Sequence, residues 1–273
     1  MSEGPASVLP TYFISHGGGP WPWMKDQMPF DLSELEASLQ AIPRDIGVRP
    51  KAVLMVSGHW EEAEFTVQTN PNPPMVYDYG GFPEFTYHIK YPAPGSPSVA
   101  QRVTELLSTA GIKAEQDAAR GFDHGVFAPM YVAWPKADMP IVQLSIKRGY
   151  DPEQHLAVGR ALAPLRHEGV LIIGSGLSYH NLGLWGPGGE VASRQFDAWL
   201  SDALAADPVR RTELLRAWEH APSARVAHPT EDHLIPLMVA VGAAEEDPAA
   251  LVYHETTLAG SITASSFCFG RAA

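Results

Sequence analysis

Cysteine is almost missing from this chain: Cys268 is the single one in 273 residues. One thiol can make neither an internal disulfide nor a thiolate cluster. Any metal must therefore be held by nitrogen and oxygen, and a reducing cytoplasm is the expected compartment. Positive charge is also scarce. Nineteen Lys and Arg face 31 Asp and Glu, for a net charge of −12. That balance argues against nucleic acid or an anionic membrane as the main partner. No apolar run approaches the roughly 18 residues of a membrane span. A basic start followed by an apolar stretch is lacking, so no secretory signal is expected. Internal repeats, low-complexity tracts and long linkers are missing too. The hydrophobic fraction of 45% and charged fraction of 18% are those of a globular protein. The length allows one large core, and a single domain over residues 1–273 is expected.

Strand-like and helix-like patterns alternate along the chain. Val8 to Ser15, Ala52 to Ser57, Phe65 to Gln68, Ile141 to Ile146 and Gly169 to Gly176 read as strands. The second and last of these show no polar alternation, as in a parallel sheet buried on both faces. Leu251 to Thr256 and Ser261 to Phe269 read as terminal strands. Apolar residues three to four apart predict helices over Asp31 to Leu39, Ser98 to Gly111, His155 to Leu165, Ser193 to Ala205, Thr212 to Ala217 and His233 to Val241. The alternation predicts an α/β fold with a central, largely parallel sheet flanked by helices. Residues 70–98 are dense in Pro, Gly and aromatics, and so long an irregular stretch is often functional.

Eleven histidines are a modest excess, and their placement matters more than their number. His16 lies in Ile-Ser-His-Gly-Gly-Gly and His59 in Ser-Gly-His-Trp. Each closes a predicted strand, beside glycines that allow close approach of backbone or ligand. His180 follows Gly174-Ser175-Gly176 at another strand end, with Asn181 beside it to fix its ring. His233 stands three residues before Pro236, at a helix start, and His228, before Pro229, competes for the same role. His124 sits in the loop Asp123-His124-Gly125, where Asp123 could orient it or be a plain turn residue. Strand ends at the carboxyl edge are where open α/β sheets bind ligands. A lone imidazole usually just bonds a loop carbonyl. Several converging on one edge suggest a metal site with a spare histidine for proton transfer. Gly174-Ser175-Gly176-Leu177-Ser178 lacks the spacing of a nucleophile elbow. The His16 glycine run lacks the Lys-Ser/Thr of a phosphate loop. His88, His155, His167, His220 and His254 have no comparable setting.

Six motifs in order carry a resemblance. They are His16-Gly-Gly-Gly-Pro; Ser57-Gly58-His59-Trp60; Gly81-Phe82-Pro83 with Tyr91-Pro92-Ala93-Pro94-Gly95; Asp123-His124-Gly125; Gly174-Ser175-Gly176 to His180-Asn181; and His228-Pro229 to His233 with Pro236-Leu237. The chain resembles the DODA-type (LigB-like, class III) extradiol aromatic ring-opening dioxygenases from about residue 10 onward. The resemblance implies one α/β domain with a single divalent metal at the sheet edge, Fe(II) for activity with Zn(II) in some members. It implies His16, His59 and His233 as metal ligands and His180 as acid/base, close enough to count as a fourth ligand in metal-only forms. It implies His124 as a contact to substrate or bound oxygen. The partners implied are a small aromatic diol and O2; a homo-oligomer is compatible with this. Protocatechuate-type relatives carry a carboxylate where His233 stands, and three imidazoles suit zinc at least as well as iron.

Proton uptake and return near neutrality suits imidazole, whose unperturbed pKa is about 6.5. Two other classes use the same residues. A zinc hydrolase would need a carboxylate such as Glu61 or Asp232 to activate water. A binding protein would keep the pocket without turnover. The segment Tyr77 to Pro97 is expected to overhang the site.

Overall fold

Eight strands make one sheet in the computed structural model, which describes residues 8–270. In chain order they are β1 (Thr11–Ser15), β2 (Ala52–Glu62), β3 (Phe65–Gln68), β4 (Ala114–Asp117), β5 (Ile141–Lys147), β6 (Val170–Gly176), β7 (Ala249–Leu258) and β8 (Ile262–Phe269). Across the sheet the order is β4-β3-β5-β2-β6-β1-β8-β7. The central four, β5-β2-β6-β1, are mutually parallel. Val53 to Val56 and Leu171 to Ile173 are buried on both faces, which explains their unbroken apolar runs. An antiparallel pair, β8 and β7, extends the sheet beyond β1. On the other side β3 joins β5 antiparallel and β4 pairs with β3 in parallel.

The helices are α1 (Ser33–Asp45), α2 (Pro97–Thr109), α3 (His124–Ala133), α4 (Pro152–Leu162), α5 (Pro164–His167), α6 (Glu190–Ala205), α7 (Pro208–Arg216), α8 (Ala224–Ala227) and α9 (Ile235–Ala243). Alternation along β6 assigns the two faces. A Cβ on Gly174 would meet the Pro236 carbonyl of α9, whereas the Ser175 hydroxyl donates to the Gly125 carbonyl of α3 at 2.5 Å. So α9 covers one face and α3 the other. Helix α4 crosses α9 closely because Gly159 and Gly242 face the opposing backbone with no side chain between. Helix α1 packs on α3. This is a single α/β domain with a mostly parallel sheet flanked by helices, as the sequence pattern predicts.

Several boundaries differ from expectation. Strand β2 continues through His59 to Glu62, instead of ending at Ser57. Its pairing with β5 jumps from Ser57↔Ser145 to Glu61↔Ile146, so the intervening residues bulge out of the ladder. Strand β4, Ala-Glu-Gln-Asp, is a polar edge strand without an apolar signal. His124 opens a helix instead of lying in a loop. Helix α3 is buried on nearly every side, so it has no apolar stripe to reveal it. Pro129 inside it cannot donate to the Gly125 carbonyl, and Ser175 supplies the missing partner.

Candidate functional site

Five histidines from five places in the chain meet at the carboxyl edge of β1, β2 and β6. His16 follows the last residue of β1, with its backbone N–H bonded to the Gly176 carbonyl at 3.2 Å. His59 sits in the β2 bulge, its N–H bonded to the Ser57 hydroxyl at 3.2 Å. His233 lies just before α9, and His124 begins α3. His180 follows β6 and donates its backbone N–H to the Ala227 carbonyl at 3.0 Å. Two glycines let the His233 segment press on the strand ends. A Cβ on Gly176 would lie 2.0 Å from the His233 carbonyl, and one on Gly58 would lie 2.8 Å from that of Asp232.

The ring centroids of His16 and His59 are 4.9 Å apart, those of His59 and His233 4.6 Å, and those of His16 and His233 5.2 Å. Each of these rings is anchored through Nδ1. His16 Nδ1 lies 2.7 Å from the Gly17 carbonyl, His59 Nδ1 3.2 Å from Asp78 Oδ2, and His233 Nδ1 2.7 Å from Asp232 Oδ2. The Nδ1 of His16 and of His233 therefore donates and leaves its Nε2 as a lone pair, and the Asp78 carboxylate beside His59 Nδ1 favours the same tautomer there. His59 Nε2 and His233 Nε2 face each other at 3.0 Å, and His16 Nε2 is buried with no partner. In that tautomer the two Nε2 lone pairs oppose each other and repel. Neighbouring nitrogens bound to one divalent ion at about 2.1 Å lie roughly 3.0–3.4 Å apart. The His59–His233 pair thus has the spacing of two ligands of one ion. His16, His59 and His124 also offer atoms within 4.8 Å of one another, as do His180, Asp232 and His233.

Electrostatics point the same way. Burial first, and then repulsion from neighbouring imidazoles, holds His16 and His233 well below the usual histidine range. Burial lowers His59 to about 3 and His180 to about 4. Neutral imidazole is the form that binds metals. Burial raises Asp232 to about 6. For Asp78 burial acts upward, but the hydrogen bond from His124 and the charges of His124 and His59 outweigh it, and its carboxyl falls below the usual range.

Some neighbours play other parts than expected. Asn181 does not fix His180: its side chain caps the turn at Leu184 and donates to the Val226 carbonyl. Instead the His180 ring stacks on His233 at 3.4 Å, with Asp232 Oδ1 3.9 Å away. Asp123 does not orient His124. It accepts from Ser57 and Arg120, while Asp78 Oδ1 accepts from His124 Nδ1 at 2.8 Å. His228 lies apart from the cluster, buried against Phe196 and Trp218 with Nε2 on the Ser178 carbonyl. Glu61 is engaged by Tyr150 and Arg148 and does not reach the cavity.

Above the cluster opens a cavity of about 530 Å³. Asp78, Tyr79 and Phe82 of the aromatic loop line it, while Tyr91 is buried beneath, bonded to the Met130 and Trp134 carbonyls. Met28, Phe30, Leu32 and Leu35, with Tyr253 and Leu258, also line the cavity, and their place there had no local signal in the sequence. The role of Asp78 was equally hidden: one acidic residue in an aromatic loop has no spacing that names its partners.

The model of the catalytic LigB subunit of aromatic ring-opening dioxygenase matches residues 10–270. The chain belongs to this family. It is 38% identical to the 4,5-DOPA dioxygenase extradiol of Beta vulgaris, over 96% of this chain and 97% of that one. It is 36% identical to the dioxygenase tasH of Hapsidospora irregularis, over 92% of this chain and 83% of the relative. The crystal structure of an uncharacterized protein from Escherichia coli K12 superposes with a TM-score of 0.76 at 29% identity, covering 96% of this chain and all of the other. The chain is an extradiol ring-cleavage dioxygenase.

Proposed function

We propose that this enzyme opens the ring of a catechol-type diol beside its two hydroxyls, using one divalent metal held by His16, His59 and His233. The observation that carries the reading is the pair of Nε2 atoms 3.0 Å apart, each on a ring whose Nδ1 is tied to a carboxylate, at the floor of a cavity. A metal held there, Fe(II) for turnover, would supply the place where diol oxygens and O2 meet. A Zn(II) ion would be held by the same three nitrogens. Both atoms of O2 enter the product, one on each new carbonyl end, as the ring carbon–carbon bond breaks.

The protein's residues do the rest. His180 is neutral because of its burial. It takes a diol proton and returns it when the ring opens. His124, held by Asp78, faces the same space and orients substrate and oxygen. Tyr79 and Phe82 shape the pocket for a flat ring. A zinc hydrolase finds less support, because Glu61 is engaged elsewhere and Asp232 accepts from His233. The lone thiol, Cys268, is buried in β8 away from the cavity and takes no part. The acidic chain and its lone cysteine favour the cytoplasm as its compartment, and no helix among the described residues is long and apolar enough to cross a membrane.

The test is an aerobic assay of Fe(II)-loaded protein with simple catechols, followed by absorbance and by ¹⁸O₂ labelling. A yellow ring-opened product carrying two labelled atoms is expected. Consumption of no catechol, or hydrolysis without O2 uptake, would refute the reading.

A further inference from the structure

Beyond the ring itself, the cavity has room and a distinct chemical character. Its volume of about 530 Å³ is in the range of pockets that enclose ligands much larger than one ring, roughly 300–1,000 Å³. The imidazoles occupy the floor. Met28, Phe30, Leu32, Leu35, Leu258 and Tyr253 line the cavity as well. Among the described residues lining the cavity there is no Lys or Arg. The nearby cations are engaged: Lys25 pairs with Glu36 at 2.5 Å and Arg120 with Asp123 at 2.7 Å. The Tyr253 hydroxyl is tied to Glu255 at 2.8 Å. The lining carboxylates, Asp78 and Asp232, each already pair with an imidazole and have the wrong sign to receive an acid.

A carboxylate on the substrate would leave water for this wall with no cation to meet it, which is costly. An ammonium would find no carboxylate among the apolar residues: Asp78 is bonded to His124, and the unpartnered Asp232 Oδ1 is itself buried, 3.9 Å from His180 Nδ1 among the imidazoles. An alkyl or aryl group would gain about fourfold in affinity for each methylene buried. We infer that the ring this enzyme opens carries an uncharged, apolar substituent seated against Met28, Phe30, Leu32, Leu35 and Leu258. The inference rests on the catechol reading above.

The test compares matched pairs on the Fe(II)-loaded enzyme: 4-butylcatechol against 3-(3,4-dihydroxyphenyl)propionate, and 4-propylcatechol against dopamine. Two quantities are read for each: kcat/KM in air, and anaerobic binding by calorimetry. The alkyl member should win each pair by about tenfold or more in both, with affinity rising from 4-methyl- to 4-butylcatechol. Phe30 is only partly buried and lies outside helices and strands, so Phe30→Arg should fold. It should move the butyl-over-propionate ratio tenfold or more toward the acid. A charged compound that equals or exceeds its alkyl partner in binding overturns the inference, as does an unchanged ratio in Phe30→Arg. If no catechol is turned over, the ring-opening reading fails, and the binding order alone then supports or overturns the apolar wall.

Discussion

Asp78 joins two parts of the site at the scale of single atoms. One oxygen meets His59 at 3.2 Å, and the other meets His124 at 2.8 Å. Loss of such an outer partner typically weakens metal binding about 10–100-fold. Asp78→Asn keeps the shape but removes one acceptor and the charge. It should therefore weaken metal affinity by that order, read by competition with a chromophoric chelator; an unchanged affinity would show that the carboxylate is not supporting His59. His180 stacks on His233 and has no hydrogen bond to either of the paired Nε2 atoms. His180→Ala should keep stoichiometric metal and still bind catechol, yet turn over about 10²–10⁴ times more slowly. Release of the metal from that variant would make His180 a fourth ligand.

At the scale of elements, glycine decides how near the His233 segment comes to the sheet. Gly176→Ala would force a Cβ to 2.0 Å from the His233 carbonyl. It should cost about 1–3 kcal/mol in urea unfolding and lower metal affinity. Gly80→Ala, with nothing within 4 Å, should change stability by less than about 0.5 kcal/mol. Equal costs at the two positions would contradict the packing described. The elements themselves were legible unevenly. β2 and β6 announced themselves by unbroken apolar runs, and His16 and His59 by the glycines that follow or precede them. Helix α3 did not, because burial on every side erases periodicity and Pro129 reads as a break. The β2 bulge was also hidden, since it arises from pairing with β5 and no local residue encodes it. Asp78 and the Met28–Leu35 wall come from chain folding over long separations, which spacing cannot show.

The whole molecule stores uncharged histidine away from the site as well. His155 is held to about 4 and His228 to about 3, both chiefly by burial. Their folded values lie below the unfolded value near 6.5, so at pH 5 the unfolded chain binds protons that the folded one does not. Stability is then full above about pH 6.5 and declines as pH falls toward 4. Each of the two should contribute about 2 kcal/mol of loss at pH 5 relative to pH 7.5. Urea unfolding at the two pH values, with the metal state held constant, reads this directly. Equal stabilities would mean that neither ring is buried uncharged.

The most direct test of the account is metal stoichiometry across histidine variants, measured by calorimetric titration with Zn(II) and by elemental analysis after Fe(II) loading. One ion per chain is expected in the unaltered protein, in His124→Ala and in His228→Ala. Stoichiometric binding should vanish in His16→Ala, His59→Ala and His233→Ala. Full occupancy in His233→Ala, with loss instead in His124→Ala or His228→Ala, would contradict the assignment and move the third ligand elsewhere.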